Sequence, residues 1–240
     1  MTEQNADLTP KMDYLHTIDV AVLRLNGQSR VIEILLHKRP NEPFAEQWAL
    51  PGIVLNGNQR DASMQDGVER LISSTKVGFT QAYIEQVGTV GDAVRDPRCW
   101  SSSTFYLALV ANDVALSDRQ KFVPLSEVLS REVVLPFDHN DLVDQVHDRL
   151  SSKSLYSNLP LLFLGKEFSA PEATAIYSIV LGREVQKTSI RQRLEKLIEE
   201  GYILESGRKK SSELVAKSSA TMLQMRPGEI FYFDRSFAYA

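Results

Sequence analysis

The segment from Ser169 to Gly201 constrains this chain more than any other. Ser169-Ala170-Pro171-Glu172 reads as a capping box with proline in the first turn. The serine side chain takes an orphan amide three residues on, while the glutamate reaches back to the serine amide. The helix it opens is predicted to run to about Leu181 and to stop at Gly182. The polar segment REVQK leads into TSIRQRLEKLIEEG, where Ile190, Leu194, Leu197 and Ile198 form one apolar stripe and Gly201 supplies the stop. A strand (YILES), a basic loop (GRKK), a loosely patterned stretch to Met225 and a final strand (EIFYFD) follow. Helix, turn, helix, strand, basic loop, strand is the order of a winged helix-turn-helix, here predicted over residues 155–240.

Charge agrees with that placement. Residues 153–240 hold 13 Lys+Arg against 10 Asp+Glu, net +3, whereas the remainder is net −7. A basic C-terminal third on an acidic body suits a DNA-binding module attached to a regulatory domain. With 240 residues, two separate cores are affordable. The polar, serine-rich stretch SSKSLYSN, from Ser151, marks the expected boundary between them.

Upstream of that boundary, residues 1–13 read as a flexible tail and 14–150 as a mixed domain of α+β class. TIDVAVLRL and VIEILLHKR flank Asn26-Gly27 as a hairpin. Residues 61–74 carry Met64, Val68, Leu71 and Ile72 at helical spacing, with Asp61 as the expected cap. AYIEQVGTV and STFYLALVA are expected strands, and PLSEVL and FDHNDLVDQVHDRL short helices. In the last of these, His139 and His147 stand among acids at a spacing of eight, but Leu142, Val143, Val146 and Leu150 explain it as amphipathic, with an Asp cap and a solvated acidic face. Ser101-Ser102-Ser103 lacks nucleophile-elbow context. The lone Cys99 permits no intrachain disulfide and no cysteine-based zinc site. No apolar run approaches the roughly 20 residues of a membrane helix, and MTEQNADLTPKMD has no signal-peptide pattern, so a cytoplasmic protein is expected.

HKRP at 37–40, WALPG at 48–52, GTVGDAVRDPR at 88–98 and STFYLALV at 103–110 resemble, in order and spacing, the segments around the ligand cleft of the Nudix family. Within it they resemble the regulatory half of the Nudix-related transcriptional regulators (NrtR family), a resemblance covering roughly residues 14–150. LGREVQKTSIRQRLEKLIEEGYI and RPGEIFYF resemble the winged helix of the same regulators. The resemblance implies a Nudix-like α/β/α sandwich followed by the winged helix. Nudix hydrolases hold divalent metal on a helix bearing Arg-Glu-apolar-x-Glu-Glu, and the metal neutralises diphosphate charge during attack by water. Here Glu69-Arg70-Leu71-Ile72-Ser73-Ser74 falls on that motif; a register fixed on Gly78 puts Thr75 and Lys76 at the two positions instead. Neither leaves a carboxylate, and Ile53 replaces the second glycine after Pro51. Binding of a diphosphate ligand without hydrolysis is therefore expected, with no catalytic residues, no metal and no required cofactor.

The resemblance makes Arg39, Arg70 and Arg98 candidates for phosphate and Trp48 or Trp100 for base stacking in that cleft. In the second predicted helix the apolar stripe turns Ser189, Arg191, Gln192, Arg193 and Lys196 outward. Arg and Gln read guanine and adenine edges, while Lys187, Thr188, Arg208, Lys209 and Lys210 suit phosphate. The family likeness implies a homodimeric repressor on a near-palindromic double-stranded operator, controlling genes of NAD metabolism and released by ADP-ribose or a related nucleotide. An active Nudix pyrophosphatase with a DNA-binding tail is the rival reading, separated from the first by the missing carboxylates at Ser73 and Ser74. A winged helix used only for protein contact is the third; it entails little salt dependence and no DNA preference.

Overall fold

The computed structural model describes residues 14–56, 61–78, 83–110, 114–211, 219–226 and 229–234, with backbone alone for 208–211 and 219–220. The expected tail, residues 1–13, lies outside the described residues. The first part is built on β1 (Tyr14–Asn26), whose period-two pattern sends Ile18, Val20 and Val22 to one apolar cluster and Ala21 and Leu23 to another. Across a turn in which the Asn26 side-chain oxygen accepts from the amides of Gln28 and Ser29 comes β2 (Val31–Lys38). There follow β3 (Trp48–Ala49), β4 (Gly52–Val54), α1 (Met64–Ile72), β5 (Tyr83–Asp92), β6 (Trp100–Val110), β7 (Gln120–Pro124), α2 (Leu125–Leu129) and α3 (His139–Ser154).

The strands form one mixed sheet in the order β3-β2-β1-β6-β5, with β4 also paired to β1 and β7 to β2. Strands β1 and β6 run parallel and the other pairs antiparallel. Helix α1 covers one face through Val68 and Leu71. It lies close because Gly67 faces the sheet: a Cβ there would come within 2.4 Å of Leu55 and 2.7 Å of Ile18. The opposite face is covered by Leu125 and Val128 of α2 and Leu142, Val143, Val146 and Leu150 of α3. The result is the expected α/β/α sandwich. One detail differs: Ser63, not Asp61, caps α1, its hydroxyl accepting from the Asp66 amide, because Asp61 is engaged by Arg70.

Beyond a 3₁₀ segment (Leu159–Leu164) lie β8 (Glu167–Ser169), α4 (Ala170–Leu181), α5 (Lys187–Glu199), β9 (Ile203–Ser211) and β10 (Ser219–Met225), with sheet order β8-β10-β9. Both halves of the Ser169–Glu172 capping box are formed, and Gly182 ends α4 at φ +62°. Helices, hairpin and strand β8 together make the winged helix. Three local expectations change. Strand β9 continues through the backbone of Arg208, Lys209 and Lys210, so these are strand rather than loop residues. The second wing strand is Ser219–Met225, and 229–234 contributes only a bridge between Tyr232 and Ser157, since Phe231 and Phe233 turn back onto the core. The expected boundary stretch Ser151–Asn158 is packed rather than open: α3 runs to Ser154, and Lys153, Ser154, Ser157 and Asn158 are buried. One apolar cluster runs from Leu23 and Phe105 of the large sheet to Ile176, Leu194 and Leu197 of the winged helix.

Candidate functional site

A cavity of about 200 Å³ opens where β1 exchanges its partner β4 for β2, at the edge of the sandwich. Asp19 of β1 is buried there, accepting from Ser103 Oγ at 2.6 Å and Thr17 Oγ1 at 3.0 Å. Opposite it Gly52 must be glycine, because a Cβ would lie 2.0 Å from Asp19 Oδ1. Around this floor stand Arg39, Lys76, Arg95, Asp96, Arg98, Phe137 and His139. His139 Nδ1 accepts the Leu50 amide at 3.1 Å, and burial holds its pKa down. Burial, with Lys76, Arg119 and Arg39 nearby, brings His37 to about 4, so both rings are neutral at pH 7.

The cavity's cations differ in how well they are compensated. Arg98 pairs with Asp96 at 2.7 Å, and Arg95 grips Asp138 through two bonds of 2.9 and 2.8 Å. Arg39 gives its Nε to the Pro43 carbonyl at 2.9 Å and lies 4.7 Å over the Phe137 ring, while Lys76 donates to the Gly52 carbonyl. Neither makes a direct ion pair among the described residues. Burial, then the Arg98 charge, depresses the Arg39 pKa; burial likewise depresses that of Lys76. Two half-buried, under-compensated cations, one of them over an aromatic ring, favour an anionic ligand with a planar group.

Of the expected ligand residues, Arg39 and Arg98 line the cavity. Arg70 does not: its Nε and Nη2 hold Asp61, at 2.8 and 2.6 Å, and Nη2 also bonds the Val54 carbonyl. Trp48 lies outside it with Lys121 Nζ over its ring at 4.5 Å, and Trp100 outside it stacked on Tyr14 at 5.4 Å. The aromatic in the cavity is Phe137, edge-on to Phe44 at 4.8 Å. Asp19 carried a legible signal, a lone acid inside an apolar strand run; Phe137 and His139 carried none, because their helix reads as simply amphipathic. At the Nudix motif positions Ser73 ends α1, and the Ser74 hydroxyl donates to the Leu71 carbonyl and accepts from the Lys76 amide. Two neutral hydroxyls, that of Ser74 already bonded to backbone, do not fit a divalent cation, which wants carboxylate oxygens.

The second surface is helix α5. Lys187, Thr188, Arg191 and Gln192 are exposed and Ser189 is half-buried, making a basic N-terminal half; Glu195, Glu199 and Glu200 are exposed and load the C-terminal half with acid. Lys196 is half-exposed and bonded to Glu200 at 2.7 Å. Phosphate-rich DNA would meet the first half with least repulsion. Arg193 does not belong to this surface. It is buried, bonded to the carbonyls of Leu155 and Ser157, with its guanidinium 4.3 Å over the Phe233 ring. Its position three after Ile190 and four before Leu197 puts it on the apolar stripe. Its carbon stem packs there and its head meets backbone acceptors.

Arg191 separates the two roles. With its side chain 80% exposed and tied, among the described residues, only to Glu195, Arg191→Ala is expected to leave melting unchanged within about 0.5 kcal/mol. The same variant should lose about 1 to 3 kcal/mol of binding to a preferred sequence over random DNA. Equal losses on both DNAs would remove Arg191 from base reading.

No family model matches the chain. It is 34% identical over 239 residues, 95% of this chain and 90% of the relative, to the ADPR-responsive transcriptional repressor NtrR of Acinetobacter baylyi. Among solved structures it is similar to Shewanella oneidensis NrtR in complex with a 27mer DNA, with TM-score 0.80 and 30% identity, covering 92% of this chain and 99% of that one. It is also similar to a MutT/nudix family protein from Enterococcus faecalis, with TM-score 0.65 and 25% identity, covering 92% and 90% of the two chains.

Proposed function

We infer the function from one premise: the chain belongs to the family of Nudix-related transcriptional repressors that includes the Acinetobacter baylyi protein. It is a DNA-binding transcriptional repressor that senses ADP-ribose. The observation that carries this reading is the joining, in one chain, of a cavity holding two under-compensated cations, Arg39 and Lys76, to a winged helix whose α5 exposes a basic N-terminal half. ADP-ribose brings a diphosphate for Arg39, Lys76 and Arg98 and an adenine for the Phe137 ring. Lys187, Thr188, Ser189, Arg191 and Gln192 meet DNA, with Arg208, Lys209 and Lys210 of strand β9 on phosphate. A homodimer would set two α5 helices about 34–36 Å apart on a near-palindromic operator. The genes controlled are those of NAD metabolism, and the protein works in the cytoplasm; among the described residues no helix is long and apolar enough to cross a membrane.

The domain binds its nucleotide without cleaving it, because the motif positions carry Ser73 and Ser74 where metal would need carboxylates. One experiment tests the whole reading. Operator fragments selected from genomic DNA are titrated with protein, with and without ADP-ribose, and the nucleotide is assayed for hydrolysis in magnesium. ADP-ribose is expected to weaken operator binding about 5- to 150-fold. Turnover is expected to stay far below about one per second. Unchanged DNA affinity at saturating ADP-ribose would overturn the repressor reading; enzyme-like turnover would restore the pyrophosphatase.

A further inference from the structure

Cavity and winged helix are joined by α3, whose 16 residues span about 24 Å. At its far end the carbonyls of Leu155 and Ser157 are held by Arg193 of α5, and the Ser157 carbonyl also accepts from Tyr177 of α4 at 2.6 Å. That end is therefore tied by hydrogen bonds to both helices of the helix-turn-helix. At its near end Asp138 occupies the N-cap position, yet its side chain makes no cap hydrogen bond. Both of its carboxylate oxygens are taken by Arg95, a cavity residue whose remaining nitrogen bonds Ser101 at 3.2 Å. The Asp138 backbone, at φ −97° and ψ 18°, is not in the extended conformation of a capping residue. The residue before it, Phe137, lines the same cavity and sits in the left-handed region at φ +59°, strained for a bulky side chain.

We propose that Asp138 is a switch with two partners: the Arg95 guanidinium, which holds it here, and the Asn140 amide in the first turn of α3, which it takes when an anionic ligand draws Arg95 away. A diphosphate entering the cavity competes with Asp138 for the Arg95 guanidinium. The released carboxylate caps α3, Phe137 leaves its strained backbone, and the shift of α3 reaches α4 and α5 through Leu155 and Ser157. With its backbone at φ −97° and ψ 18° the Asp138 carboxylate reaches Arg95 and caps nothing, whereas capping needs the extended backbone, so the two arrangements are alternative conformations and the element is bistable. The inference rests on the reading of ADP-ribose as effector and specifies how its occupancy is transmitted.

Asp138→Asn tests it, because asparagine caps a helix as well as aspartate but gives Arg95 no charge. In full-length protein the variant is expected to rest in the ligand-like arrangement. Operator affinity without nucleotide falls, ADP-ribose binding by DNA-free protein strengthens, and the nucleotide effect on DNA shrinks below about twofold, against about 5- to 150-fold in the native chain. Asp148→Asn, an exposed acid on the same helix, should behave as native. A merely structural role for Asp138 would weaken both ligands together, and that result, like a native-sized nucleotide effect, overturns the switch. Should the variant not fold, hydrogen exchange of the native protein decides: the Asn140 amide gains protection with ADP-ribose if Asp138 caps the helix, and unchanged exchange overturns it. Native protein that binds no ADP-ribose sinks the effector reading, and the switch with it.

Discussion

Arg193→Ala is expected to lower folding stability by about 3 to 5 kcal/mol, as much as truncating a large core side chain. Truncation strips the Leu155 carbonyl of its charged donor and removes one of two donors from the Ser157 carbonyl. Each charged hydrogen bond of this kind is worth about 1.5 to 3 kcal/mol, and a desolvated cation over an aromatic ring, as Arg193 lies over Phe233, adds up to about 2. For a chain of this length the melting temperature should fall by roughly 10 °C. The contrast with Arg191→Ala is qualitative. Below its melting point the Arg193 variant should keep its preference between operator and random DNA, whereas the Arg191 variant keeps its melting point and loses that preference. A normally stable Arg193→Ala protein with weakened sequence preference would return Arg193 to the outward face.

Arg39→Ala should cost about 2 to 5 kcal/mol of ADP-ribose affinity, thirtyfold or more, while DNA binding without nucleotide stays near native. The guanidinium is half-buried near Arg98 and over Phe137 and makes no direct ion pair among the described residues, so an incoming diphosphate is the counter-charge it lacks. Lys76→Ala should follow in the same direction. Arg70→Ala should act differently: it breaks a buried bond to Asp61 and therefore lowers stability rather than nucleotide affinity alone. Calorimetric titration of ADP-ribose into the three variants, with melting curves alongside, sorts them. Arg39→Ala binding as tightly as the native protein would place the diphosphate elsewhere.

How much of this was legible beforehand depended on how local the physics is. The hairpin, α1, β5, β6, α2, α3, the Ser169–Glu172 box and the Gly182 stop are settled by periodicity, turn chemistry and capping, which act over a few residues; all stand where the sequence puts them, to within a turn. The final strand failed because EIFYFD alternates well enough for a strand, yet Phe231 and Phe233 are drawn onto the core and the pairing partner of β9 is the weaker pattern Ser219–Met225. The outward charge pattern misplaced Arg193, and Arg70, a phosphate candidate by resemblance, stands outside the cavity. A long arginine reads as solvated until a distant backbone carbonyl or carboxylate is brought within reach, and Leu155, Ser157 and Asp61 are supplied only by the fold.

The sequence by itself determined the class of each half, the order of the elements, the outward set Lys187, Thr188, Arg191 and Gln192, and the loss of carboxylates at Ser73 and Ser74. Tertiary structure alone decided which arginines face the cavity, that Phe137 and not Trp48 or Trp100 is its aromatic wall, and that α3 crosses the expected boundary to tie cavity and winged helix together. The physical reason is range. Side-chain period and caps are fixed by neighbours along the chain, whereas the partner of a buried charge is whichever group the packed elements bring to it, and that is settled only when β1, α3 and α5 are in place.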